Sequence, residues 1–200
     1  SINIFKSFNN QIEIDIDFPE NLSIPIKFEP QSMHWSQAQV TVHSGILKVD
    51  GEKYYCPAFS DDLKHDQKFV KLAIDGILKL VTLEEDSVVM IESDNCSSQY
   101  KSAEHFYDLQ FLADHLKKVI VRIFGIAGHG KGEVDHVGGL AKVTIRREIS
   151  NGKIFENADD MVTFLCAKFQ SNVNPNYHIY NIDPKDLEIC RSLNKLLVFY

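Results

Sequence analysis

The stretch QIEIDIDF, residues 11–18, alternates apolar and polar side chains and stops at Pro19. Alternation with a period of two places successive side chains on opposite faces of a β-strand, so this stretch predicts a half-buried strand that Pro19 ends. Asp17 stands at the carboxyl end of that strand. The stretch therefore predicts both the first strand of a sheet and the position of one carboxylate.

A hairpin and a helix are predicted after this first strand. Residues 38–49, AQVTVHSGILKV, alternate and are rich in β-branched side chains, and an Asp50–Gly51 turn joins them to residues 54–60, YYCPAFS. Apolar residues then recur at helical spacing from Asp66, which predicts a helix of about four turns. The first third of the chain thus supplies three strands and one helix.

The rest of the chain predicts strands that alternate with helices. The apolar runs at residues 87–93 and 119–128 are typical of strands buried on both faces, and a helical pattern lies between them. A polar helix is expected over residues 131–148, and further helices over residues 157–170 and from Pro184. This order predicts an α/β fold with a mixed sheet, three antiparallel strands followed by parallel strands, flanked by helices.

Length and composition indicate one ordinary globular unit. The chain has 200 residues, 44% of them hydrophobic and 24% charged. We expect residues 1–150 to form the core and residues 151–200 a helical extension packed on it. The apolar runs fall short of the roughly 18 residues of a membrane span, and the first ten residues, SINIFKSFNN, lack the pattern of a signal peptide. Neither a membrane location nor secretion is expected.

Charge and cysteine usage limit the class of protein further. A net charge of −7 argues against a uniformly basic nucleic-acid coat but allows a local basic stripe. The four cysteines lie far apart and form no C-x-x-C pair, so neither a zinc ribbon nor a disulfide lattice is indicated. Reduced thiols of a cytosolic or nuclear protein are expected.

Two acids close two of the predicted strands. Asp17 ends the first strand and Asp94 follows the strand at residues 87–93. In α/β sheets, sites form at the carboxyl ends of strands, and two carboxylates that meet there repel each other unless a cation neutralises them. Mg²⁺ or Mn²⁺ is the matched partner of such oxygen ligands. The alternative for either acid alone is a turn or a helix cap.

A third acidic element is GHGKGEVDHVGG, residues 128–139. It superficially resembles a phosphate loop, but the full G-x-x-x-x-G-K-[ST] pattern is not present. Asp135 lies early in the predicted helix, with Gly139, Lys142 and Arg146 at the following helical steps. That face would present a carboxylate, a bare glycine surface and cations to a phosphodiester. The alternative is a solvated helix face.

The order of these elements and acids resembles the ribonuclease H-like fold of DDE/D transposases and retroviral integrases. SDNCSSQYKS at residues 93–102 is similar to the stretch around the second catalytic aspartate of integrases. Further segments are similar to ordered motifs of transposon-derived animal proteins: DFPEN (17–21), HW (34–35), QVTVHS (39–44), SDDLKHD (60–66) and GHGKGEVDHVGG (128–139). In those relatives, four of the motifs read approximately D-F-A-E-N, S-D-x-L-x-H-D, S-D-G-x-x-S-Q-[FY]-K and S-H-G-K-G-x-x-D-G-x-G-G.

The resemblance implies a metal-dependent DNA transposase or integrase-like core that hydrolyses phosphodiesters and transfers strands. It implies that Asp17, Asp94 and Asp135 are the catalytic acids and the ligands of two Mg²⁺ or Mn²⁺ ions. Glu133 is the alternative third acid, because classical members use glutamate there, whereas the motif above keeps aspartate at the step of Asp135. The implied partners are DNA, as transposon ends and target, and a second copy in a homodimer, and the implied location is the nucleus.

Five further residues are expected to bind the substrate beside these acids: Gln99, His129, Lys131, Lys142 and Arg146. Asn95 and His136 stand where the relatives carry glycine. These two departures leave open whether this copy is an active transposase or a domesticated DNA-binding or scaffold domain. A ribonuclease H-type nuclease, which cleaves without strand transfer, is a further alternative. Asp61, Asp62 and Asp66 are assigned to capping of the first helix.

Overall fold

A computed structural model describes residues 10–24, 38–96, 100–125, 132–170 and 176–197, which form one mixed sheet with helices packed on it. The strands in these ranges are β1 (Gln11–Asp17), β2 (Leu22–Ile24), β3 (Ala38–Val49), β4 (Glu52–Tyr55), β5 (Ala58–Ser60), β6 (Val88–Ser93), β7 (Val119–Phe124) and β8 (Tyr180–Asn181). The helices are α1 (Gln67–Leu78), α2 (Ala103–Leu116), α3 (Glu133–Ser150), α4 (Ala158–Gln170) and α5 (Pro184–Leu197). The predicted α/β class with a mixed sheet is confirmed.

Strand β1 lies inside the sheet and sets its topology. The strand order is β7-β6-β1-β3-β5-β8, and β2 and β4 both pair with β3. β1 runs antiparallel to β3 and parallel to β6, and β6 runs parallel to β7. Because Ile16 of β1 is paired with Ser93 of β6, the residues that follow them, Asp17 and Asp94, leave the sheet at the same edge.

Local sequence signals explain where several elements begin and turn. Asp50 and Gly51 adopt positive φ angles of 52° and 79°, as the predicted tight hairpin turn requires. The carboxylate of Asp66 accepts hydrogen bonds from the backbone of Lys68 and Phe69 and so caps α1. At the start of α4, the Asn157 side chain accepts from the backbone of Asp160 at 2.9 Å, as predicted.

The structure differs from the predicted strands in three places. Strand β7 was predicted to be buried on both faces, but it lies at the edge of the sheet and its residues are exposed or half-buried. The short strand β2 pairs with β3 and was not predicted, because three residues are too few to show a period of two. The second arm of the hairpin is divided into β4 and β5 at Cys56 and Pro57. Proline lacks the N–H that a strand ladder needs, so the pairing with β3 breaks there and resumes at Ala58.

Apolar side chains are buried on both faces of the sheet. On one face, β1 and β6 pack against α1 and α2 through Ile12, Ile14, Ile16, Val70, Ile74, Ile77, Val89, Ile91 and Leu109. On the other, β3 and β5 pack against α3 and α4 through Val40, Val42, Phe59, Ala141, Ile145, Met161 and Leu165. Strand β8 pairs with β5, so the chain beyond Ser150 shares this core. Across the described ranges, no helix is long and apolar enough to cross a bilayer.

Candidate functional site

Strands β1 and β6 deliver Asp17 and Asp94 to one edge of the sheet. Asp17 is half-buried at the end of β1, whereas Asp94 is exposed just after β6. The Ser93 hydroxyl donates to the backbone carbonyl of Asp94 at 2.9 Å, and the backbone N–H of Cys96 donates to Asp94 Oδ1 at 3.2 Å. These two contacts hold the turn that presents the Asp94 carboxylate.

Helix α3 brings Asp135 to the same edge. The helix lies across the sheet with Gly138 against Ser44 and Pro19, where a side chain would not fit. Asp135 stands one turn before this glycine, and its carboxyl group is in hydrogen-bonding contact with that of Asp17. Three acids that are remote in the chain are therefore brought to one edge: two of them touch, and the third, Asp94, interacts electrostatically with Asp17.

Burial and neighbouring acids change the protonation of Asp17. Desolvation, the hydrogen bond and negative charge of Asp135, and the charge of Asp94 together raise the pKa of Asp17 from 3.8 to about 7. Near pH 7, the Asp17 carboxyl group is thus partly protonated.

An open cleft of about 460 Å³ lies over this edge of the sheet. Its lining includes five acidic residues, Asp15, Asp17, Glu92, Asp94 and Glu133, together with Ser93, Phe124 and Gly132. The cleft is therefore electronegative, which favours cations over free anions.

Glu133 makes a separate set of contacts. Its carboxylate accepts hydrogen bonds from Lys53 Nζ at 2.6 Å and from the Tyr55 hydroxyl at 3.1 Å. The Lys53 hydrogen bond, followed by that of Tyr55, lowers the pKa of Glu133. Asp135, and not Glu133, is thus the acid of α3 that contacts Asp17.

Two of the predicted substrate-binding residues lie in the described part of α3. Lys142 is nearly buried, and its ammonium donates to the backbone carbonyl of Glu20 at 2.7 Å. This contact ties α3 to the loop that follows Asp17. Arg146 is exposed. Gln99, His129 and Lys131 lie outside the described residues, as do His34 and Trp35.

Arg122 of β7 supports the strand end that carries Asp94, and no sequence pattern predicted this role. Its guanidinium donates to the Ile91 carbonyl at 2.7 Å and to the Ser93 hydroxyl, and it lies 5.3 Å from the centre of the Tyr100 ring. Desolvation lowers the pKa of Arg122 to about 10, so the group stays charged at neutral pH. An arginine within the apolar run VIVRIF was the signal that could have revealed it.

Other polar residues fix the loops around the cleft. His65 Nε2 lies 2.8 Å from Asn21 Oδ1, and the Phe18 ring stacks on the His65 ring with centroids 4.6 Å apart. Arg191 of α5 pairs with Asp62 and Asp66 at 2.6 and 2.7 Å. Asp66 caps α1 as predicted, whereas Asp61 accepts from the backbone of Ala158 at 2.9 Å, at the start of α4.

The acids fit a hard divalent cation by their chemistry. Within the described ranges, no group of three or more His, Cys, Asp or Glu side chains is already gathered closely enough to hold a metal ion. The Asp17 and Asp135 carboxyl groups nonetheless lie within hydrogen-bonding range, and burial together with the neighbouring acids raises the pKa of Asp17. Carboxylate oxygens are the ligands that Mg²⁺ and Mn²⁺ prefer. For one cation to contact all three acids, Asp94, which is exposed at its strand end, would have to approach the other two.

The fold and the cleft define an α/β protein with a mixed sheet and an electronegative carboxylate site at the carboxyl ends of its strands. The chain belongs to the family described as Domain of unknown function (DUF8701), whose model matches residues 6–191. A comparison with curated proteins gave no match.

Proposed function

We propose that this protein is a metal-dependent, DDE/D transposase-like catalytic core that acts on phosphodiester bonds of DNA. The observation that carries the proposal is the contact of Asp17 with Asp135 beside Asp94, at the edge where β1 and β6 end. Carboxylates that repel one another in a solvent-open cleft are the donor set of a divalent-cation site.

The order of the strands supports a ribonuclease H-like fold. Strand β1 has the antiparallel strand β3 on one side and the parallel strands β6 and β7 on the other. The three proposed acids come from β1, from the residue after β6, and from helix α3. This is the arrangement that the resemblance to transposases and integrases implies.

Each residue has a distinct role in the proposed site. Asp17, Asp94 and Asp135 would hold Mg²⁺ or Mn²⁺. Two such ions, when bound, activate a water or a sugar hydroxyl and stabilise the leaving oxygen. Lys142 holds the loop after Asp17 in place through the Glu20 carbonyl. Arg122 and Ser93 hold the backbone at Asp94.

The proposed reaction has two displacements at phosphorus. Water attacks a phosphodiester and the 3′-oxygen leaves as a hydroxyl at the cleaved DNA end. That 3′-hydroxyl then attacks a second phosphodiester, which joins the two strands and releases a new 3′-hydroxyl. Because the bonds broken and formed balance in each displacement, the reaction needs no oxidant or other co-reactant.

The test is cleavage and joining of labelled DNA duplexes in Mn²⁺, with Asp94→Ala and a control, Asp114→Ala. Asp114 is an exposed acid of α2. Wild type and Asp114→Ala should yield cleaved and joined products that Asp94→Ala does not form. Cleavage without joining would support the ribonuclease H-type nuclease instead. Neither product, together with no Mn²⁺-dependent rise in the unfolding temperature, would support a scaffold without catalysis.

A further inference from the structure

Buried hydroxyl groups without a partner lie beside the acidic cleft. Ser44 and Tyr100 are fully buried, and their hydroxyl oxygens have no hydrogen-bond partner among the described residues. Buried polar groups in folded proteins are nearly always paired, so each exception calls for an explanation. Among the buried polar atoms without a partner in the described residues, these two are the hydroxyls, and both belong to residues near Asp17.

Ser44 lies beside Asp17 on the sheet. The two residues are directly paired between β3 and β1, so their side chains emerge on the same face. That face is the one that α3 covers, because a Cβ on Gly138 would meet Ser44 Oγ at 2.5 Å. The Ser44 hydroxyl is therefore enclosed between Asp17 and the helix that carries Asp135.

Tyr100 approaches the acids from the other face of the sheet. Its ring belongs to the core formed with Ile12, Ile14 and Ile16. The centre of its ring lies 6.3 Å from that of Phe18, the residue after Asp17, and its phenol interacts electrostatically with both Asp17 and Asp94. The Arg122 guanidinium lies over the ring at 5.3 Å and keeps it in position.

We propose that Ser44 and Tyr100 are positioning residues of the acidic site, whose hydroxyls donate hydrogen bonds to the carboxylates when these hold a divalent cation. The inference rests on the proposed function. A ligand carboxylate uses some of its lone pairs for the cation and needs donors for the others, and such outer partners orient it. The two hydroxyls supply donors from opposite faces of the sheet, and neither has a hydrogen-bond partner among the described residues.

Two control variants, one for each residue, distinguish a positioning role of Ser44 and Tyr100 from a structural role. Ser60 Oγ donates to the Ile182 carbonyl at 2.7 Å, and the Tyr180 hydroxyl donates to the Ala73 carbonyl at 2.9 Å, both away from the cleft. Ser60→Ala and Tyr180→Phe thus remove hydroxyls that are already paired. Ser44→Ala and Tyr100→Phe remove the same groups where they are unpaired.

The experiment measures Mn²⁺ affinity by isothermal titration calorimetry and the unfolding midpoint in EDTA. Ser44→Ala and Tyr100→Phe should each raise the Kd for Mn²⁺ about tenfold without lowering the midpoint in EDTA. Ser60→Ala and Tyr180→Phe should keep the wild-type Kd and lower the midpoint by about 2–4 °C for each hydrogen bond lost, and Ser60→Ala loses two because Ser60 Oγ also accepts from the backbone N–H of Asp62. A merely structural role cannot produce this crossed pattern.

Failure of this inference differs from failure of the proposed function. The first case is that wild type binds Mn²⁺ and Asp94→Ala does not. If Ser44→Ala or Tyr100→Phe then binds Mn²⁺ with the wild-type Kd, the residue changed in that variant has no positioning role. If wild type and Asp94→Ala both give flat titrations, the metal site itself is refuted, and the inference with it. Ser44→Ala and Tyr100→Phe are interpreted separately. If one of them folds poorly, the Mn²⁺ affinity of the other still tests the inference.

Discussion

Gly138 of α3 packs against Ser44 of β3 so closely that a Cβ on the glycine would lie 2.5 Å from Ser44 Oγ and 2.9 Å from Pro19 Cγ. Ser44 is in turn paired with Asp17. The glycine therefore sets how near α3, and with it Asp135, comes to the carboxylate at the end of β1.

Gly138→Ala should displace α3 from the sheet. Overpacking of this kind costs about 1–3 kcal/mol of unfolding free energy, and the displacement should also weaken Mn²⁺ binding. Gly139→Ala is the matched control, because nothing among the described atoms lies within 4 Å of its Cβ position. The control should gain up to about 1 kcal/mol from helix propensity. Urea unfolding measures the stability of the two variants. Equal changes in unfolding free energy for Gly138→Ala and Gly139→Ala would contradict the close contact of Gly138 with Ser44.

The raised pKa of Asp17 predicts a pH dependence of stability in the absence of metal. Between pH 3.8 and about 7, folded Asp17 keeps a proton that the unfolded chain has released. Stability should therefore fall as pH rises through this window, and Asp17→Asn should lose that fall. Urea unfolding in EDTA from pH 4 to pH 8 checks it. Parallel profiles for wild type and variant would show that Asp17 titrates normally.

Asp135 and Glu133 should differ in their effect on metal binding. Asp135→Asn removes the carboxylate that contacts Asp17 and should lower Mn²⁺ affinity by more than about tenfold, since loss of outer-shell partners alone costs that much. Glu133→Gln disturbs only the contacts with Lys53 and Tyr55 and should leave the Kd close to that of wild type. Calorimetric titration of both variants decides between them, and the reverse order would make Glu133 the third acid.

A buried ion pair between α1 and α2 should dominate the stability of that face. Lys68 Nζ contacts both carboxylate oxygens of Asp108 at 2.7 and 2.8 Å, and the two side chains are only 4% and 10% exposed. Lys68→Met leaves the Asp108 charge buried without this partner and should cost about 3–5 kcal/mol.

The double variant Lys68→Met/Asp108→Leu should recover most of that loss, because an apolar pair of similar volume replaces the two charges. Urea unfolding of the single and double variants measures the recovery. A single variant as stable as wild type would mean that water reaches the pair and screens it.

Local sequence patterns were sufficient for most elements of the fold, though not for β2, and for the placement of two acids at strand ends. The alternation of residues 11–18, the Asp50–Gly51 turn and the caps at Asp66 and Asn157 depend on neighbours in the chain, so they can be read directly from the sequence. The positions of Asp17 and Asp94 at strand ends follow from the same local patterns.

Only the tertiary structure decided which acid of α3 meets Asp17, and which polar groups surround the pair. Residues two apart on a helix point about 200° away from each other, so a single packed orientation turns Asp135 to Asp17 and Glu133 to Lys53. That orientation depends on the fit of Gly138 against Ser44, a contact between residues 94 positions apart. Such contacts arise from strand register and helix packing, which no local pattern encodes.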